Sequence, residues 1–330
     1  MRPSRMFMFA TSSWLALAGL ATLALPAWTF AADYPSRPVR LVVTFPPGGA
    51  ADILARTISP TLAEQLRQQI VVDNRPGANG AIGFELVAQS PADGYTLLLG
   101  FTTGVAINPV LSKVSYDPEK DFAAVSMLSR TPMILIAGRS FPANSVKELI
   151  ALAKATPGKI SYGSPGTGNP NHIAGELFKS LAGVDLVHVP YKGAGPVMVD
   201  VIGGHVPIGF VTLAAALPQL RAGKLKSLAI TSDRRWSALP DVPTMSEAGV
   251  RGLEVVEWFG ILAPARTPKA LISRLNEEIV KAVRSPEIQA RLTEQGLEPV
   301  TTTSDEFVAI IRSDIVKWSK AIKQTGIRAE

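Results

Sequence analysis

From residue 39 onward, short runs of β-branched and aliphatic residues alternate with stretches in which apolar positions recur every three or four residues. The pattern predicts strands at Val39 to Phe45, Ile70 to Asn74 and Tyr95 to Gly100, separated by helices near Ile53 to Gln68 and Ala81 to Gln89. Such a βαβα rhythm builds a parallel sheet with helices on its faces. The next apolar run, Ala124 to Ala137, reads as broken by Pro132. A second series follows: helix Val146 to Ala155, strand Ile160 to Gly163, helix Ile173 to Ala182, strand Leu186 to Val189, helix Pro196 to Ile202, then strands Val206 to Val211 and Leu225 to Thr231. A second sheet is expected from it. A strand at Glu257 to Pro264 and two C-terminal helices complete the chain.

Residues 1 to 31 follow a different pattern, with Arg2 and Arg5, no acid, an apolar stretch through Leu15, Leu20 and Leu25, and small residues near Ala31. This is the layout of a secretory signal peptide cleaved after Ala31. The alternative, a retained membrane anchor, is opposed by Pro26 within the apolar stretch. About 300 mature residues exceed one core, which predicts two lobes. Their expected boundaries are 32–130 with 255–330 for the first lobe and 131–254 for the second, the chain crossing twice between them.

Three places join a strand end to a helix start through glycine. At FPPGGAAD, Gly48 and Gly49 let backbone approach a ligand, and Asp52 falls in the first turn of the helix, where it reads as a cap. At YGSPGTGNPNH, Ser164, Thr167, Asn169 and Asn171 surround Gly163, Gly166 and Gly168; Asn169 suits an N-cap, Pro170 the first helical position, and His172 lies at the helix start. At YKGAGP, Tyr191 offers an aromatic wall and Lys192 a charge. Free N–H groups and the helix dipole make each an anion cradle, although each is also an ordinary tight turn. Two such cradles on opposite lobes close on one acidic ligand.

Charge and composition narrow the function. The chain has 33 Lys and Arg against 27 Asp and Glu, and the basic residues are scattered, which argues against nucleic acid and against polybasic membrane binding. The absence of cysteine excludes disulfides, thiolate metal sites and a cysteine nucleophile. YGSPG lacks the spacing of a nucleophile elbow, there is no HExxH, and His172, His188 and His205 fall in no metal-ligand pattern. A dinucleotide fingerprint built from Gly166 and Gly168 fails at Asn171. No enzymatic activity, metal or cofactor is expected.

The motifs YPSRPVRLVVTFPPGGAAD, NRPGANGAIG, ADGYTLLLG, GTGNPNHIAGELF, VHVPYKGAGPVMVDVIGG, LPDVPTMSEAG and EWFGILAPARTP, in this order, resemble the Bug proteins, extracytoplasmic solute receptors related to tripartite tricarboxylate transporters. The resemblance spans nearly the whole mature chain. It implies an α/β, periplasmic-binding-protein-like fold of two lobes joined by a two-crossing hinge, with a small carboxylate or related acid in the cleft. It also implies that Phe45, Pro47, Gly48, Gly49, Ala50 and Ala51 hold one end of the ligand. Ser164, Gly166, Thr167, Gly168, Asn169 and His172 then meet the other end. The residues themselves add Tyr191 as an aromatic wall, and Thr102 and Thr103 at the mouth of the first sheet, whose hydroxyls line the same cleft or serve only loop hydrogen bonds. The implied partner is a membrane permease, or a signalling protein if the loaded receptor is a sensor; the receptor is expected as a periplasmic monomer.

The chain departs from the family pattern in reading GHVPIGFVT, with Pro207 and Val211 where acids are common, and Ala50 and Ala51 where a hydroxyl is common. Loss of these polar groups predicts a more apolar pocket, suited to an aromatic or longer-chain acid rather than an amino acid.

Overall fold

The computed structural model describes residues 34–325 and 327; the expected signal peptide lies outside the described residues. The first series folds as strand β1 (Val39–Val43), helix α1 (Ala50–Leu66), strand β2 (Ile70–Asn74), helix α2 (Ala81–Ala88) and strand β3 (Thr96–Phe101). β1 pairs in parallel with both β2 and β3. Leu54, Ile58, Leu62 and Leu66 on α1 are buried, as their spacing requires of one helix face. After β3 the chain forms a π-helical turn at Thr103–Ile107 and a short helix α3 (Asn108–Leu111). Nothing in the sequence pattern predicted these, since neither is long enough to show a period.

Strand β4 (Phe122–Gly138) runs unbroken through Pro132, correcting the expected interruption. Beyond it come α4 (Val146–Ala155), β5 (Ser161–Ser164), α5 (Pro170–Ala182), β6 (Val187–Pro190), α6 (Ala194–Gly203), β7 (Ile208–Thr212), α7 (Leu213–Arg221), β8 (Leu225–Ile230) and β9 (Val256–Pro264). The C-terminal part is α8 (Lys269–Arg284), α9 (Pro286–Glu294), β10 (Glu298–Pro299) and α10 (Ser304–Thr325), so three helices stand where two were expected. Helix α7 was also unforeseen. Its segment LAAAL is buried throughout, which removes the polar positions that reveal a helical period.

β4 explains the layout. From Phe122 to Pro132 it pairs antiparallel with β9, and from Met133 onward with β7 and β8. Pro132 lies at the change of partner, where its missing N–H interrupts neither ladder. The two expected sheets therefore join through one strand into a curled path, β2-β1-β3-β9-β4-β7-β5-β6. In the second series β5 pairs in parallel with both β6 and β7, repeating the arrangement around β1.

The register brings the carboxyl ends of both parallel sets to the middle of β4. Phe101 at the end of β3 pairs with Phe259, which pairs with Ser129; Thr212 at the end of β7 pairs with Met133. Ligand crevices in α/β sheets form outside such carboxyl ends. Here two of them face each other.

Candidate functional site

Between those ends lies a cleft enclosing about 690 Å³ of space, part of it open to solvent. Its wall is built largely from the first residues of four helices: Gly49, Ala50 and Ala51 of α1, Asn169 and Asn171 of α5, Gly193 to Pro196 of α6, and Thr212 ahead of α7. A helix start carries N–H groups without partners in the helix and roughly half a positive charge. Phe45, Pro46, Pro47, Pro165 and Phe259 supply an apolar remainder.

The first loop is fixed from behind. Asp52 accepts hydrogen bonds from the Gly48 N–H (3.0 Å), from Asn74 and from Arg56, while Asn74 also donates to the Phe45 carbonyl. Burial by itself raises the Asp52 pKa, but the bonds from Arg56, Gly48 and Asn74 outweigh it and hold the carboxyl below its usual value. Gly48, at φ +86°, occupies the left-handed region that the loop needs for this turn. Phe45 packs edge-on to Phe101, ring centroids 4.8 Å apart, which sets the floor of that end of the cleft.

The second loop is fixed by its own side chains. Asn169 accepts the His172 N–H as the N-cap of α5, and His172 Nδ1 accepts the Gly168 N–H at 3.0 Å. Ser164 donates its hydroxyl proton to the Gly166 carbonyl, so His188 Nε2, 2.7 Å from the same oxygen, must carry a proton and donate to it. Burial, then the neighbouring His172, push the His188 pKa down to about 4. The Tyr191 and Gly193 N–H groups donate to the carbonyls of Ser164 and Pro165, binding the third loop to the second.

Of the residues singled out from the sequence, Phe45, Pro47, Gly49, Ala50, Ala51 and Asn169 lie on the cleft wall. Gly48 is held by Asp52 behind it. Thr102 and Thr103 are fully buried; the Thr102 hydroxyl accepts the Trp258 N–H. Ser164, Gly166 and His172 form the internal bracing just described. Thr167 and Gly168 border a separate depression beside Asn79, Asn108 and Leu111. Tyr191 turns its hydroxyl to Asp200, 2.6 Å away. Val211 is buried among Ile134, Val197 and Leu213, so the wall position falls to the next residue, Thr212.

Asn171, a donor of the second glycine loop in the sequence, also lies on the wall, whereas Thr212, Glu257 and Phe259 had no place in the site expected from the sequence. Asn171 is buried, and its Oδ1 has no hydrogen-bond partner among the described residues. Glu257 is the only acid on the wall, 5 % exposed. An acid at the head of the apolar run WFGILAP was the available signal. Lys192, exposed at the third loop, is the only cationic side chain on the wall. Among the described residues, no group of three or more histidines, cysteines and acids is placed to hold a metal ion, and no helix is long and apolar enough to cross a membrane.

Residues 54–327 match the family model for the tripartite tricarboxylate transporter family receptor. Protein BugT of Bordetella pertussis is 36% identical over 314 residues, covering 94% of this chain and 95% of BugT. The structure of R. palustris Rpa4515 with adipate is 38% identical with a TM-score of 0.87, covering 90% of this chain and 99% of Rpa4515. The periplasmic binding protein BugD is 33% identical with a TM-score of 0.82, covering 90% of this chain and 100% of BugD. The fold is thus that of periplasmic binding proteins. Family and fold are those of solute-binding receptors, and the chain belongs to the tripartite tricarboxylate transporter receptor family, the group that includes the Bug proteins.

Proposed function

We propose that this receptor captures a small carboxylate with an apolar body, an aromatic or longer-chain acid, in the cleft at the middle of β4, and delivers it to a membrane permease of the tripartite type. The observation that carries the reading is the convergence of four helix starts on a wall that is otherwise mostly apolar. Backbone N–H groups and dipoles there favour an anion. Phe45, Phe259 and the prolines favour hydrocarbon between its charged ends. The adipate in Rpa4515 is an acid of this type.

The lobes are residues 32–130 with 255–330 and residues 131–254, and the change of partner along β4 at Pro132 supports that division. Closure of one lobe on the other traps the ligand and forms the face a permease reads. Residues 1 to 31 direct the chain to the periplasm, where it acts as a monomer.

The test is a thermal-shift and calorimetric screen of the chain from Ala32 onward, using adipate, longer dicarboxylates, benzoate, citrate and aspartate. A ligand of the native state raises its apparent stability. Saturable binding that strengthens with chain length or with an aromatic ring is expected. Preference for citrate or aspartate overturns the apolar-pocket reading, and the absence of binding by every acid overturns the carboxylate reading.

A further inference from the structure

β9 sets Glu257 and Phe259 on the cleft wall, while Trp258 between them donates its indole N–H to Asp314 of α10. Glu257 is nine-tenths buried, and among the described residues no hydrogen-bonding or charged partner acts on its carboxyl. The residue across the ladder, Thr131, spends its hydroxyl on the Gly296 carbonyl. A charged carboxylate there would be both desolvated and unpaired. Burial pushes the Glu257 carboxyl up to about 8. In that form it has an O–H to donate.

The other ionisable groups around it are engaged elsewhere. Asp52 on α1 is tied to Arg56, and His172 and His188 brace the second loop. Tyr191 is bonded to Asp200 of α6. Glu298 of β10 is paired with Arg130 of β4 and with Arg234, and Asp314 is bonded to Trp258. Lys192 is exposed. On the wall itself, then, Lys192 and Glu257 are the charge-bearing side chains, the first open to water and the second not.

We propose that Glu257 keeps its proton and donates a hydrogen bond through it to a carboxylate oxygen of the captured ligand, which makes this residue a determinant of acid over amine specificity and couples release to rising pH. The proposal rests on the carboxylate reading above. An amine would require the ionised glutamate; a carboxylate requires the neutral one. An anion beside Glu257 also raises its pKa further. Below about pH 8 the proton is present with and without ligand, so affinity is flat. Above that, binding must take up a proton, and affinity falls by up to about tenfold per pH unit.

The experiment is calorimetry with adipate on the chain from Ala32 onward, from pH 6.5 to 9.5, in buffers of unlike ionisation enthalpy. The ligand's own carboxyls stay ionised throughout this range. The wild type is expected to bind evenly up to about pH 8, then to weaken by up to about thirtyfold by pH 9.5 with uptake of about one proton. Glu257→Gln, which keeps a donor but cannot titrate, is expected to bind without pH dependence or proton uptake, and Lys192→Met to retain the wild-type slope. Infrared difference spectra at pH 6.5 are expected to show a protonated carboxyl band that Glu257→Gln lacks. Wild-type affinity that is flat or rising through pH 9.5, or a slope shared by Glu257→Gln, overturns the proposal and leaves the carboxylate reading standing. Failure of adipate and the other acids to bind at any pH overturns both.

Discussion

The side-chain amide of Asn79 donates a hydrogen bond to the carbonyl of Thr167, a residue 88 positions further along the chain. Asn79 stands in the left-handed region at φ +49°, and Asn108 donates to its carbonyl from α3. Gly166 lies so close that a Cβ there would come within 2.9 Å of Asn79 Oδ1. The link joins the segment after β2 to the loop after β5, on opposite sides of the cleft.

A latch of this kind contributes to affinity without touching ligand. Asn79→Gly keeps the backbone conformation and removes the bond, which contributes on the order of 1 kcal/mol. Calorimetry is expected to show adipate binding weakened roughly fivefold. Unchanged affinity would mean the contact forms equally with and without ligand.

Phe45 is half-buried at the cleft and stacked edge-on to Phe101. Phe45→Ala removes apolar wall without touching the helix starts. Affinity for a longer dicarboxylate is expected to fall about tenfold and that for citrate by much less, in line with roughly 0.8 kcal/mol per buried methylene. Equal losses for both would place Phe45 in structural support alone.

His188 is neutral in the fold, with its pKa near 4 against an ordinary value of 6.5. Between those values the unfolded chain binds a proton that the native state refuses, so stability present above pH 6.5 is lost progressively as pH falls toward 4. His188→Gln is expected to melt with a smaller decline over this window than the wild type. Parallel declines in thermal melts would exclude His188 as a source of acid sensitivity.

Glu257 acts in the other direction. Its folded pKa of about 8 lies above the ordinary 4.5, so the native state holds a proton that the unfolded chain releases. Its contribution is complete below pH 4.5 and is lost as pH rises toward 8. In ligand-free melts, Glu257→Gln is expected to gain on the wild type steadily over that range and to stop gaining above it. A constant difference would show that the carboxyl is solvated.

The strand and helix order around β1 and β5 was readable because short, almost wholly apolar strands alternate with helices that bury one face, and the glycine loops announced where helices begin. Asn169 was legible as a cap because asparagine followed by proline has few other uses at a helix start. Less was visible where burial erases periodicity: α7 is apolar from Leu213 to Leu217, and Pro132 sits in a strand that changes partner beside it. Ser164 and His172 carried the right chemistry for a ligand but spend it on neighbouring loop atoms. Glu257 is marked locally only by an acid heading the apolar run WFGILAP; that it is buried on the cleft wall opposite Thr131 depends on a ladder register that no local pattern encodes.

The four helix starts around the cleft have an evolutionary consequence. A grip made of peptide groups is indifferent to most substitutions, so it passes intact from one descendant gene to the next. On the function proposed above, discrimination falls to a few side chains of the wall, Phe45, Thr212, Glu257 and Phe259 among them. A duplicated copy of this gene would then need only one or two codon changes at those positions to take up a different ligand.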